Sequence, residues 1–140
     1  MWLQIIYIAS LCILNAISEP GGASIAACET MMPIHCNYQG QTGSLPVKFE
    51  VQTPIISRGH ITIRIEGTDD LPSFAGFLVQ ARKQTNELIG KFLTSEHVNV
   101  IDCKNISGST ATHTNYNQKT AVDIIWEAPG TTEPMVFNFQ

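Results

Sequence analysis

Apolar and polar residues alternate in short segments along the last two thirds of the chain. The clearest example is residues 60–66, where Ile61, Ile63 and Ile65 alternate with polar side chains. A period of two is typical of an antiparallel strand that buries one face and exposes the other. A weaker alternation over residues 46–51 predicts another strand.

Further short apolar runs are separated by turn-forming Gly, Pro, Asp and Ser residues. These runs are residues 74–81, 88–93, 98–103, 121–126 and 135–139. No long segment has helical periodicity, so the pattern predicts an all-β antiparallel sandwich of about seven or eight short strands. The predicted core residues are Phe49, Ile61, Ile63, Ile65, Phe77, Val79, Phe92, Val100, Ile124 and Trp126.

The first 18 residues predict a secretory signal peptide. They contain no charged residue, have an apolar run over residues 5–14, and end with the small residues Ala16 and Ser18 at the positions that precede a cleavage point. The alternative, a membrane anchor, needs about 20 apolar residues, more than this run contains. We therefore expect residues 1–18 to be removed and residues 19–140 to form a single secreted, extracellular domain.

Composition narrows the class of protein. The chain has 140 residues, of which 44% are hydrophobic and 14% are charged, and its formal net charge is −4. The charged share is below the roughly 25% of typical soluble domains, which favours an ordered domain over a disordered chain. Nucleic acid is not an expected partner, because an acidic chain without clustered Lys and Arg cannot neutralise phosphates.

Four cysteines suggest an even disulfide set, but Cys12 lies in the predicted signal peptide. Cys28, Cys36 and Cys103 then remain in the mature chain. The secretory route is oxidising, so one bridge and one unpaired thiol are expected. Three pairings are possible, and the spacing of the cysteines does not choose between them.

The chain lacks the motifs of catalysis and of metal binding. No His-x-x-x-His or Cys-x-x-Cys spacing occurs, and the neighbouring His35 and Cys36 would need further metal ligands from other strands. There is no nucleophile elbow and no phosphate-binding glycine loop. We therefore expect no enzyme activity, no catalytic residue, no metal and no cofactor.

Two polar segments carry other candidate sites. Asn105 begins an Asn-Ile-Ser acceptor for N-glycosylation, which predicts a glycan on a surface loop. The following polar run, residues 110–115, is interpreted first as a strand with hydroxyls on an exposed face. The alternative is a binding surface, whose residues would be Thr112, His113, Asn115 and Tyr116.

Several motifs, taken in order, resemble a reeler domain, the N-terminal module of reelin that also occurs alone in small secreted insect defence proteins. The matching pieces are residues 27–35, residues 76–82, Cys103, residues 110–115 followed by Lys119, and residues 126–129. Together they cover nearly the whole predicted mature chain. A predicted signal peptide with one such domain is most similar to the small defence proteins.

The resemblance implies an immunoglobulin-like β-sandwich and a Cys28–Cys103 bridge, which leaves Cys36 unpaired. It also implies a secreted innate-immunity protein with antimicrobial or microbe-binding activity. The implied partners are microbial polysaccharide or lipid, or a host cell surface, and Cys36 offers a disulfide-linked partner. Membrane lysis is the less expected activity, because lytic peptides are usually cationic and amphipathic.

Two alternatives accompany this interpretation. One is a matrix or adhesion module, as in larger reeler-containing proteins. The other is the N-terminal fragment of a longer reeler-containing membrane protein. In two respects the sequence departs from the family pattern. Cys36 stands where the family usually has Gly, and the family's domain continues past the last Phe-rich strand, so the sandwich is expected to lack its final strand.

Overall fold

The computed structural model describes residues 21–32, 43, 46–52, 59–130 and 134–139. Over these residues the chain forms two four-stranded antiparallel sheets and two short 3-10 turns, Ile25–Cys28 and Cys103–Asn105. The strands are β1 (Val47–Gln52), β2 (His60–Gly67), β3 (Leu78–Lys83), β4 (Lys91–Phe92), β5 (Val98–Ile101), β6 (Thr110–His113), β7 (Ala121–Glu127) and β8 (Met135–Phe139). The prediction of an all-β antiparallel sandwich is confirmed. The predicted signal peptide and Cys36 lie outside the described residues.

The first sheet has the strand order β1-β2-β7-β4. β2 lies in its interior, where Ile63 faces Ile124 of β7 across the ladder and Ile61 faces Trp126. Ile63 and Ile65 are at most 1% exposed, whereas Ile61 is only partly buried. The predicted alternation along β2 therefore holds, because its isoleucines form the face that contacts the second sheet.

The second sheet has the order β5-β6-β3-β8. Its inner face is supplied by Val79 and Ala81 of β3 and by Ala111 of β6, all 0% exposed. The last strand, β8, pairs with β3 along its whole length. Phe139 of β8 also stacks on Phe49 of β1, with ring centroids 3.9 Å apart, and so connects the edges of the two sheets.

Two strands differ in extent from the predicted runs. The run at residues 74–81 predicted a longer strand, but β3 begins only at Leu78 and continues through Arg82 to Lys83, which pair with β8. The run at residues 88–93 shortens to the two residues of β4. Gly90 explains the second difference: its φ is +73°, and a Cβ there would lie 2.3 Å from the Trp126 indole, so the chain turns where the indole packs.

Trp126 is the largest fully buried side chain of the core. Its indole N–H donates to the Ile89 carbonyl oxygen at 3.2 Å, and its ring meets the Phe137 ring edge-on with centroids 5.3 Å apart. Of the predicted core, seven residues are buried, while Phe49, Ile61 and Val100 are partly buried and packed against them. Phe49 and Val100 lie on the edge strands β1 and β5, and Ile61 lies close to the beginning of β2.

The N-terminal segment, residues 21–32, lies across the outer face of the second sheet. Side chains alternate across a strand, so the polar residues of β3 and β6 point away from the inner face toward this segment. The Ala23 amide donates to the Thr112 hydroxyl at 2.9 Å, and the Asn99 side-chain amide donates to the Gly21 carbonyl oxygen at 2.7 Å. The segment therefore forms a third layer over part of the sandwich.

A disulfide between Cys28 and Cys103 fixes this layer covalently. It joins positions 75 residues apart, with the two Cα atoms 5.5 Å from each other. Both cysteines are buried, and the Thr110 hydroxyl lies 3.0 Å from the Cys103 sulfur. The pairing that the resemblance implied is the one in the structure.

A buried polar cluster lies beneath the N-terminal segment. The Arg82 guanidinium, 5% exposed, donates to the side-chain oxygen of Gln80, to the carbonyl oxygen of Cys28 and to both oxygens of Asn86. The Gln80 amide donates to the same Cys28 carbonyl oxygen at 3.0 Å. The Arg82 charge is therefore stabilised by the dipoles of neutral oxygen acceptors, and no carboxylate is among its described partners. Every buried side-chain nitrogen and oxygen in the described residues has a partner, as burial of polar groups requires.

Removing the disulfide should destabilise the domain substantially. Replacing both Cys28 and Cys103 by Ser restores the entropy of a long loop to the unfolded chain, which costs roughly 2–5 kcal/mol. Equilibrium unfolding in urea should therefore show a lower midpoint. The Cys36→Ser variant is the matched control and should leave the midpoint unchanged. A double variant as stable as the wild type would show that the hydrogen bonds alone hold the N-terminal segment.

Candidate functional site

Three loops meet at one end of the sandwich, which we call the β6–β7 end. They are residues 72–77 before β3, residues 93–97 between β4 and β5, and residues 114–120 between β6 and β7. Phe74 and Lys119 exchange two backbone hydrogen bonds of 2.9 Å, which connect the first loop to the third. The Thr114 hydroxyl donates to the Glu96 carbonyl oxygen at 2.9 Å and connects the second loop to the third.

Thr112 was predicted as part of a binding surface, and this prediction is wrong. Its side chain is 0% exposed and lies beneath the N-terminal segment. The hydroxyl donates to the Phe77 carbonyl oxygen at 3.0 Å and accepts from the Ala23 amide. The other interpretation of this run, an exposed ladder of hydroxyls, is wrong for the same reason, since Thr110 is also 0% exposed.

His113 is half-buried at the end of β6, on the inner face of the second sheet. The Phe77 amide donates to its Nδ1 atom at 3.2 Å. Its ring meets the rings of Phe77 and Tyr116, each with a centroid distance of 6.1 Å. Gly76 permits this approach, because a Cβ at that position would lie 2.8 Å from the imidazole. His113 therefore contacts two loops, and its Nδ1 atom is already used in a hydrogen bond within the protein.

The surroundings of His113 favour its neutral form. Burial lowers its pKa below the ordinary value of 6.5, and the positive charge of Lys119 lowers it further. The Phe77 carbonyl oxygen, 3.4 Å from Nδ1, acts in the opposite direction. The Phe77 amide needs an unprotonated Nδ1 as its acceptor, which assigns the proton of the neutral ring to Nε2.

Asn115 and Tyr116 differ in what they present to solvent. The Asn115 side-chain oxygen accepts from the Asn117 amide at 3.0 Å, and its nitrogen donates to the Thr114 hydroxyl, so this side chain shapes the loop. Tyr116 is 44% exposed while its ring contacts His113. Of the four predicted surface residues, Tyr116 is the one that presents a large side chain to solvent.

Lys119 holds the β6–β7 loop from within. Its residue is 6% exposed, and its ammonium group donates to the carbonyl oxygens of Ala75, Asn115 and Asn117 at 3.1, 2.8 and 2.7 Å. Burial lowers the pKa of this ammonium group below 10.5. Three carbonyl oxygens match the three protons of an ammonium group, so Lys119 acts as a clamp between two loops.

A cavity of about 300 Å³, which we call the end pocket, opens beside this clamp. Its polar lining residues are Glu96, His97, Asn115, Asn117, Gln118, Lys119 and Thr120, so the pocket includes one residue of the predicted binding surface, Asn115. The sequence did not single out this pocket, because its lining comes from two loops about twenty positions apart. The only sequence signal is that each loop carries consecutive polar residues between strands.

Asn105, the predicted glycosylation site, lies away from this pocket. It is exposed in the 3-10 turn that precedes β6, with a φ of +60°. The pocket adjoins the residues that follow β6, so β6 separates the two sites.

Two features are absent from the residues that the structure describes. No helix there is both long and apolar enough to cross a membrane. Nor do three His, Cys, Asp or Glu side chains come together there as metal ligands.

Comparison with known proteins gives consistent family matches. The family model described as Reeler domain matches residues 26–140. Putative defense protein 3 of Antheraea mylitta is 29% identical over 133 residues, which is 92% of this chain and 78% of that protein. A solved human F-spondin reeler domain has a TM-score of 0.55 at 16% identity, covering 71% of this chain and 75% of that one, and supports the fold.

Longer relatives match only in part. The putative ferric-chelate reductase 1 of Xenopus laevis is 31% identical over 136 residues, covering 93% of this chain and 22% of that protein. The Drosophila melanogaster homolog is 29% identical over 120 residues, covering 80% of this chain and 18% of the relative. The chain therefore spans about a fifth of the length of these relatives.

The state of His113 predicts how stability depends on pH. Its folded-state pKa is lowered, so the unfolded chain binds a proton more readily than the folded one. The stability that the folded protein gains from the neutral His113 ring is fully present above pH 6.5. It is lost as the pH falls below that value toward the folded-state pKa. Urea unfolding between pH 7.5 and 5 should show this loss.

The His113→Gln variant is the control for that measurement. Its side-chain oxygen can still accept from the Phe77 amide but does not titrate, so the variant should lose less stability over the same pH range. Equal losses in the two proteins would assign the pH dependence to other groups.

Proposed function

Because this chain belongs to the reeler domain family, we propose that it is a secreted defence protein that binds microbial surfaces. The observation that carries this proposal is the match to an insect putative defense protein, which extends over most of both chains. The match covers 92% of this chain and 78% of that protein. The proposed function is that of a binding protein without catalytic activity.

The electrostatics favour recognition over membrane lysis. The chain has eight Lys and Arg against twelve Asp and Glu. In the described residues, several exposed cations are paired with carboxylates, as in the Arg64–Asp123 contact of 2.9 Å. Membrane-disrupting peptides need an excess of positive charge on an amphipathic helix. The proposed activity is therefore attachment to a microbial surface.

The β6–β7 end is the part of the domain best suited to such attachment. It carries the end pocket and the exposed ring of Tyr116. The hydrogen bonds of Lys119 and His113 hold its loops in place before any ligand binds. A preformed surface loses less conformational entropy on binding than a mobile one.

Binding to cells tests the proposal directly. The purified secreted protein should sediment with bacterial or fungal cells and with their purified wall polymers. An unrelated β-sandwich of similar charge is the control, and it should stay in the supernatant. Retention no greater than that of the control on every cell type and polymer would contradict the proposed function.

Glycosylation at Asn105 is a separate proposal about the secreted form. Asn105 is exposed and begins an Asn-Ile-Ser acceptor, as a glycan requires. The mass of protein secreted by insect cells should fall after treatment with an N-glycosidase, and the Asn105→Gln variant should already have the lower mass. An identical mass before and after treatment would exclude the glycan.

A second candidate function follows from the partial matches. Relatives named ferric-chelate reductase 1 contain a matching region that is about a fifth of their length. The same domain could thus serve as a module of a longer protein. Sequencing the transcript beyond Gln140 distinguishes the two, since a long continued reading frame favours the module.

A further inference from the structure

We infer that the end pocket binds a neutral, hydroxyl-rich group, the chemistry of a hexose residue in an uncharged polysaccharide. This inference rests on the proposed function, because it names the kind of microbial surface component that the β6–β7 end would recognise. The argument depends on which polar groups of the pocket are already used within the protein and which are available.

Four side chains of the pocket are available for a ligand. Glu96, His97, Asn117 and Thr120 line it, and their side chains make no hydrogen bond or ion pair with any residue that the structure describes. They supply a carboxylate, an imidazole, an amide and a hydroxyl, which together offer both donors and acceptors. Sugar hydroxyls both donate and accept, so this mixture matches a neutral polyol.

The cation of the pocket is not available to an anion. The Lys119 ammonium group donates its protons to three backbone carbonyl oxygens, the longest of these contacts being 3.1 Å. No ammonium proton of Lys119 is left over for a phosphate or sulfate, and the Glu96 carboxylate would repel either. Phosphate recognition usually needs Arg or Lys directed at the ligand, so anionic polymers fit this pocket poorly.

A cationic ligand is also disfavoured. The pocket has one carboxylate, from Glu96, and the positive charge of Lys119 lies in its lining. The two charges offset each other, so a ligand with a positive group would gain little net attraction. A neutral group loses no charge solvation on entry and can still use every available hydrogen-bonding side chain.

The dimensions of the pocket fit a small group. Its volume of about 300 Å³ lies at the lower end of the range for small-molecule sites. The Lys119 clamp connects the loop that carries Asn117 to Ala75 and keeps the pocket open. A single sugar unit of a chain could therefore enter it while the rest of the polymer passes over the surface.

The test compares neutral and anionic polymers on the whole secreted chain. Laminarin and mannan serve as neutral probes, and lipoteichoic acid and lipopolysaccharide as anionic probes, at physiological salt. Vesicles of phosphatidylglycerol and phosphatidylethanolamine test for lipid binding. The wild type should bind at least one neutral polymer more tightly than either anionic one, and should bind the vesicles weakly.

Variants place the binding in the pocket. Glu96→Gln combined with Asn117→Ala should weaken neutral-polymer binding about tenfold, because hydrogen bonds to a charged group are lost. The matched control is Glu127→Gln with Gln52→Ala, two exposed residues at the opposite end of the first sheet. This control should bind like the wild type. If the first variant does not fold, Thr120→Arg, which fills the pocket from an exposed position, replaces it and should have the same effect.

The outcomes separate this inference from the proposed function. A wild type that prefers anionic polymers or vesicles, or pocket variants that bind neutral polymer normally, would overturn the inference while microbial binding stands. A wild type that binds no polymer, vesicle or cell would overturn both. Tighter binding of lipopolysaccharide by Glu96→Lys than by the wild type would support the argument that the missing cation excludes anions.

Discussion

The carbonyl oxygen of Cys28 accepts hydrogen bonds from the buried side chains of Gln80 and Arg82, and the disulfide of the same residue holds it in place. The outer face of the second sheet is polar and yet buried, which is costly unless every group finds a partner. The N-terminal segment supplies some of those partners, including the Cys28 carbonyl oxygen and the Ala23 amide, and the sheet and its loops supply the rest. The disulfide fixes the segment over that face, and the hydrogen bonds offset the cost of burying the polar side chains of the sheet.

At the β6–β7 end a buried charge, rather than a disulfide, holds separate segments of the chain together. Lys119 gathers three carbonyl oxygens from two loops, so its ammonium group organises backbone that no sheet ladder reaches. The same contacts withdraw its positive charge from solvent. The surface that remains carries amides, a hydroxyl, an imidazole and one carboxylate, and this arrangement gives the end its chemical character.

The alternation of apolar and polar residues predicted which residues lie on the inner faces of the sheets. It did not predict burial that depends on residues far away in the sequence. The alternation along β2 is visible in the sequence because its isoleucines pack between the two sheets. Their burial does not depend on the N-terminal segment that lies over the outer face of the second sheet. The predicted run stopped at residue 81, just before Arg82, because the burial of Arg82 depends on the Cys28 carbonyl oxygen, 54 positions away. Thr112 looked exposed because nothing near it in sequence shows that residues 21–32 lie over it. The end pocket was not predictable, since its two loops meet only in the folded chain.

The pairing of Cys28 with Cys103 has a consequence for the order of events during synthesis. Cys28 is made early, and Cys36 follows it by eight positions, while Cys103 is synthesised long afterwards. In an oxidising compartment the first partner that Cys28 meets is therefore the wrong one. A Cys28–Cys36 bond, if it formed first, would have to be broken by thiol–disulfide exchange before Cys28 could pair with Cys103 and fix the N-terminal segment over the polar face.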